Sequence, residues 1–311
     1  MDIMIVSGVH LDHAWTGLGT QFGSALRGWS RHVLALVVEE ANRRNAGVLL
    51  VAGDLFDRSF ALPATVDYAS QILGTFSGDV VIVPGRTDWI DGTSLYSTQE
   101  WAANTSICSS SDYQSCSAAS TLWVSAWTAP GGSAPRVPVA TGPRVLVRAG
   151  MADDDGVLAV PELVHDPREP GGSALLINSA TPNEPARQVD LTGQPGSLVD
   201  VDVTDLLDTD ALADAIDAVL MPGNPLLLRL HGTLAPGVLL PGFGDPEHSL
   251  PPGVVLDLDS LHFATASLDP ADRSARGEFL HAMAYANTAD LQRHQTTALG
   301  LAALAASAQG T

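Results

Sequence analysis

The 311-residue chain has no lysine: all 15 of its basic residues are arginine, set against 35 acidic residues for a formal net charge of −20. A surface of that sign repels phosphate backbones, whose binding rests on neutralisation by cations, so autonomous DNA binding is not expected. Long apolar runs are also lacking, and none approaches the length of a membrane span, so no membrane partner is expected. The opening residues MDIMIVSGVHLDH carry no basic segment and one short apolar run. They do not read as a signal peptide, and the expected location is cytoplasmic. Cysteine is limited to Cys108 and Cys116 in a Ser-rich stretch. Without an export signal, two reduced thiols are the expected state. Histidine is missing altogether between His32 and His165.

What is present describes a globular chain, with 45% hydrophobic and 16% charged residues and a length that suits two domains or one core with an appendage. Its organising stretch is Val48–Arg58, VLLVAGDLFDR. The apolar run reads as a buried parallel strand, which places Asp54, and Asp57 just beyond it, at the carboxyl edge where ligands gather. Ile3–Val6 is a similar short strand that ends in Ser7-Gly8-Val9-His10-Leu11-Asp12-His13. A helix over Arg31–Arg44 follows from the spacing of Val33, Leu34, Val37, Val38 and Ala41. This β-α-β unit delivers His10 and Asp54 to one edge. A second helix over about Pro63–Phe76 leads to strand Val80–Val83, which ends in Pro84-Gly85-Arg86-Thr87-Asp88. Three strand ends thus aim their loops at one place.

In this order the residues resemble the calcineurin-like metallophosphoesterases, in particular the DNA repair exonucleases of the SbcD/YhaO type. The family's three signatures are Asp-x-His, Gly-Asp-x-x-Asp and Gly-Asn-His-Asp. Here they read Gly8-Val9-His10, Gly53-Asp54-Leu55-Phe56-Asp57 and Gly85-Arg86-Thr87-Asp88, and Ser94-Leu95-Tyr96 and Trp101-Ala102-Ala103-Asn104 continue the likeness. The resemblance implies an α/β architecture in three parts. Residues 1–182 form a phosphoesterase-like β-sandwich flanked by helices and shortened after about residue 105, residues 183–259 a small α+β capping domain, and residues 260–311 a helical segment. It also implies metal ligation by His10 and Asp54, and a C-terminal contact with the coiled-coil base of an SbcC/YhaN-like ATPase. Homodimers are known among relatives, and a homodimer is carried over as a possibility.

The departures from the pattern decide the functional expectation. Gly8 replaces one ligand, Arg86 another, and Thr87 stands where the catalytic histidine belongs; the family's later H-x-H motif has no counterpart. Glycine offers no side-chain donor, and a guanidinium cannot lose its proton to bind a cation. The expected outcome is an Arg86–Asp54 ion pair in the vacated space, with no catalytic residue and no cofactor; if any ion binds, Mn2+ or another divalent metal is the expected one. The function implied is a pseudo-phosphoesterase serving as a scaffold or regulatory subunit. The alternative is an active metal-dependent phosphoesterase or exonuclease rebuilt on His10, Asp12, His13, Asp54, Asp57 and Asp88. A third reading is a small-anion site at Arg86 and Arg58.

Further along, Asp153–Asp155 reads as a solvated turn and His165 as a surface histidine. Leu122–Trp127, Arg144–Gly150 and Ala174–Asn178 read as strands. Pro130–Pro143 reads as a connector, and Arg168–Gly172 as part of the close of the first domain. Strand Val199–Val203, helix Asp208–Leu220 with an Asp or Thr cap, strand Leu226–Leu230 and a short strand at Val238–Leu240 build the cap, with a turn at Arg229–Leu234. Helices over Arg276–Tyr285 and Thr288–Ala306 close the chain.

Overall fold

A computed structural model describes residues 1–130, 144–148, 157–166, 168, 172–191, 197–220, 226–241, 250–251, 253–264, 269 and 271–309. Most of the Pro130–Pro143 connector, the Asp153–Asp155 run and part of Arg168–Gly172 lie outside them. The described residues form a mixed α/β protein in two units, one of Met1–Gly17 and Gly23–Pro195, the other of Leu18–Phe22 and Gly196–Thr311.

The first unit starts with β1 (Asp2–Val6), α1 (Gly19–Arg43, counted to this unit from Gly23 on), β2 (Val48–Ala52), α2 (Pro63–Leu73) and β3 (Asp79–Val83). There follow a single-turn α3 (Leu95–Thr98), β4 (Thr105–Ile107), β5 (Gln114–Ser115), β6 (Leu122–Val124), β7 (Val145–Val147) and β8 (Val157–Leu158). The unit ends with β9 (Ser173–Asn178) and β10 (Arg187–Asp190). One sheet has the order β10-β9-β1-β2-β3-β4 and a second β5-β6-β7-β8. The run from β1 through β4 is parallel, while β9 and β10 pair antiparallel. Ile3, Ile5, Val48, Leu50, Val81, Val83, Leu175 and Ile177 share one buried cluster with Leu122, Val124 and Val147 of the second sheet. The two sheets therefore pack face to face, because alternate side chains of each strand leave the same face. Met4, Val6, Leu49, Val51, Val80 and Ile82 line the opposite face and are equally buried. The crossover helices α1 and α2 belong on that side, with Val33, Leu34, Val37, Val66, Ala69 and Leu73 buried.

Two expectations for this unit change. Helix α1 starts well before Arg31, and the segment expected to open the cap at residue 183 instead supplies β10, whose residues pair with β9 from Arg187↔Leu176 to Asp190↔Ser173. An edge strand beside a buried antiparallel partner satisfies backbone groups that a domain boundary there would leave bare. Within the Ser-rich stretch, Cys108 and Cys116 are free thiols buried in the inter-sheet cluster.

The second unit holds β11 (Ser197–Asp202), α4 (Thr209–Asp217), β12 (Leu226–Leu234), β13 (Val254–Asp257), β14 (Leu261–Phe263), α5 (Ala275–Ala284) and α6 (Asp290–Gln309). Strand β12 pairs in parallel with β11, β13 and β14. The Asp208 carboxylate caps α4 by accepting from the Ala211 N–H at 2.8 Å. Leu212 and Ile216 of that helix pack on Val201, Leu228 and Leu230. On the other face Arg229 reaches Asp257 at 3.2 Å and Asp200 at 3.6 Å. The turn expected at Arg229–Leu234 is part of β12, Val238–Leu240 is not a strand, and Leu261–Phe263 adds a strand where helix was expected.

Candidate functional site

The carboxyl edge of β1, β2 and β3 gathers the site, and backbone pairing continues past the strand ends to fix it. The Gly8 N–H donates to Gly53 O at 3.1 Å, His10 N–H to Asp54 O at 3.0 Å and Leu11 N–H to Leu55 O at 2.9 Å. Gly8, His10, Asp12, Trp15 and Asp54 all have left-handed backbones, with φ between 50° and 61°. Outside glycine such conformations cost about 1 kcal/mol or more each and persist only where the surroundings hold them. The edge is a strained platform; it sets His10 close to Asp54 and Asp88, with Asp57 alongside against His13.

Asp88 is its buried hub. Its Oδ1 accepts from the N–H of Gly85 at 2.6 Å and of Asp54 at 3.2 Å, and its Oδ2 from the Leu55 N–H at 2.8 Å and the Tyr96 hydroxyl at 2.6 Å. Burial and the neighbouring Asp54 charge push the Asp88 carboxyl from 3.8 up to about 7, against the pull of those hydrogen bonds. Burial and Asp88 together hold the Tyr96 phenol well above its ordinary value.

Asp54 is satisfied by Thr87, whose N–H and hydroxyl both donate to Oδ1, at 2.8 and 2.7 Å. This corrects the expected Arg86–Asp54 pair. Arg86 is exposed, and its guanidinium lies over the Trp127 ring at 5.6 Å. Thr87 reaches the carboxylate first because backbone and side chain of one residue present two donors together. Arg58 is also committed, with bidentate contacts to Asp91 at 2.9 and 3.0 Å and a stack on Trp89 at 4.6 Å. The anion reading therefore loses one of its two arginines. Asp12 is held by Arg31 at 2.8 Å and by the Thr65 hydroxyl.

Two imidazole–carboxylate pairs complete the edge. His13 Nδ1 meets Asp57 Oδ2 at 3.0 Å, with the His13 side chain 32% exposed. His10 Nε2 meets Glu162 Oε2 at 3.2 Å. Burial alone would lower the His10 pKa, but the Glu162 hydrogen bond and the charges of Glu162, Asp54 and Asp88 outweigh it, and the net shift is upward. The same hydrogen bond from His10 draws Glu162 below its ordinary value against the opposing effect of burial, helped by the charges of His10, His165 and His13. His165 is thus half-buried beside this cluster rather than a simple surface residue.

Glu162 carried no signal in the sequence. Its segment runs parallel to the end of β1, with Leu163 N–H on Ser7 O at 2.8 Å and Val164 N–H on Gly8 O at 2.9 Å. Tyr96 was visible only as part of the stretch after the third signature.

A scan against protein-family models finds no match, and a search of curated proteins finds no significant one. The fit of a divalent pair therefore has to be judged on the donors. Gly8 has none, and a Cβ there would lie 2.6 Å from the Glu162 Cβ. His10 Nε2 is engaged by Glu162 and Asp54 Oδ1 by Thr87, while Arg86 has no lone pair to offer and lies over Trp127. Among the described residues no group of three or more His, Cys, Asp or Glu converges as metal ligands do. These donors do not fit a dinuclear centre, which needs several carboxylates and imidazoles around ions about 3.5–4 Å apart.

Proposed function

We propose that the chain is a phosphoesterase-like module, of the calcineurin-like kind found in SbcD/YhaO-type exonucleases, that does not hydrolyse phosphate esters and acts as a scaffold or regulatory subunit. The observation that carries this reading is the state of Asp54. The carboxylate best placed to bridge cations is turned to Thr87, beside a glycine and an arginine where further ligands would stand. The stacked sheets, with three parallel strands delivering their loops to one edge, support the phosphoesterase-like architecture. A partner such as an SbcC/YhaN-like ATPase would meet the C-terminal helices, where Tyr285 is 86% and Leu299 42% exposed. Among the described residues no helix is long and apolar enough to cross a membrane.

A second reading, a rebuilt acid–base site, is favoured by the His13–Asp57 pair, since a carboxylate on Nδ1 orients an imidazole for proton transfer at Nε2. One assay separates the two. Bis-p-nitrophenyl phosphate with added Mn2+ is expected to turn over no faster with the wild type than with Asp54→Asn. A Mn2+-dependent rate abolished by Asp54→Asn or His13→Gln would replace the first reading with the second.

A further inference from the structure

We propose that Glu162 is a plug: its side chain occupies the seat beside β1 that a cation would need, and so keeps the strand-tip edge closed to metal. The naming of that seat rests on the reading above; the obstruction is a matter of geometry. Gly8 turns with φ +61°, and a Cβ built on it would meet Glu162 Cβ at 2.6 Å, Cγ at 2.7 Å and Cα at 3.0 Å. Contacts under about 3 Å force something to move, and here the obstacle is the near end of a side chain on a backbone pinned to Ser7 and Gly8 at 2.8 and 2.9 Å. The far end of the same side chain takes His10 Nε2 at 3.2 Å. One residue therefore fills the volume of a side chain at position 8 and engages the imidazole two residues on.

The consequence is that a carboxylate regained at position 8 cannot restore a cation site unless Glu162 also goes. Aspartate is the apt replacement because, with asparagine, it tolerates the left-handed backbone better than other side-chain-bearing residues. Cutting Glu162 back to glycine removes the two nearest obstacles, Cβ and Cγ, and leaves its Cα at 3.0 Å, a contact that a shift of a few tenths of an ångström relieves. The opened seat would then offer the new carboxylate, His10 and the Asp54 Oδ2, which Thr87 does not contact, to a hard or borderline divalent ion.

The test is a four-member cycle of the full chain: wild type, Gly8→Asp, Glu162→Gly, and the double variant. Mn2+ binding is measured by isothermal titration calorimetry and Tm without metal by calorimetric scanning. The expected result is that Gly8→Asp lowers Tm and binds no better than wild type. The double variant should bind one Mn2+ per chain at least about tenfold more tightly than either single variant. In the Tm cycle, Gly8→Asp should be better tolerated when Glu162 is absent. The proposal is overturned if Gly8→Asp alone binds as well as the double variant. A double variant that binds no better than wild type, or that is less stable than the two single changes sum to, overturns it as well. Two Mn2+ ions on the wild type would overturn the proposed function and the plug together, whereas a metal-free wild type with a double variant that fails to bind overturns the plug alone, so the two failures are distinguishable.

Discussion

Asp88 shows at the scale of one residue how the site has been turned inward. Its carboxylate collects four donors, and burial beside Asp54 still lifts its pKa to about 7. The native state therefore holds a proton that the unfolded chain releases near 3.8, and this group's contribution to stability declines as pH rises from about 4 to about 7, then levels. The Asp88 Cγ resonance in a 13C-labelled sample should titrate near 7, and a midpoint near 4 would contradict the burial described. Tyr96→Phe removes one donor from that carboxylate and should cost about 1–3 kcal/mol in urea unfolding at pH 7. His10 and Glu162 shift in opposite directions. The raised His10 value stabilises below 6.5 and its contribution is lost as pH rises through the folded pKa. The lowered Glu162 value stabilises above 4.5 and is lost as pH falls through its own folded pKa. His10→Gln should therefore be most costly near pH 6, by about 1–2 kcal/mol given that Glu162 is part-exposed and screened, with the gap narrowing by pH 9. An equal penalty at both pH values would show that the imidazole acts by packing alone.

Among the elements, β1, β2 and β3 were legible because continuous apolar runs of four or five residues have no better fate than a strand buried on both faces. The first half of α1 was not, since Gly19, Gly23 and Gly28 are poor helix formers and only burial of Phe22 and Leu26 draws that stretch into the helix. The Ser-rich stretch carries no apolar periodicity to read, yet Cys108 and Cys116 anchor it between the sheets. Asn104, noticed only as part of a resemblance, has a clear physical task. Its amide donates to Leu73 O at 3.3 Å, Phe76 O at 3.0 Å and Gly78 O at 3.2 Å, tying the end of α2 to the start of β3. Asn104→Ala should lower stability by about 1–3 kcal/mol in urea unfolding, because several carbonyls lose a partner at once. A change within about 0.5 kcal/mol would mean that water replaces the amide without loss.

For the molecule as a whole, the site was half legible. Strand-end reasoning found His10, Asp54, Asp57 and Asp88, because a parallel sheet fixes which edge its loops share. It could not find Glu162, which lies 152 residues from His10 and reaches it through pairing that no local pattern announces. Nor could it tell that Arg86 would turn to Trp127, since shared placement at an edge does not set the direction of a long side chain. The net charge of −20 carries its own prediction. Fluorescence anisotropy should show no binding to duplex DNA at about 150 mM salt, where phosphate contacts by cations supply non-specific affinity. The central claim, that these strand tips cannot cradle a pair of divalent ions, is most directly tested by counting metal on the wild-type chain. After incubation with Mn2+ and desalting, native mass spectrometry should find well under one ion per chain, with the same spectrum for Asp54→Asn; about two ions per chain, lost in that variant, would contradict it.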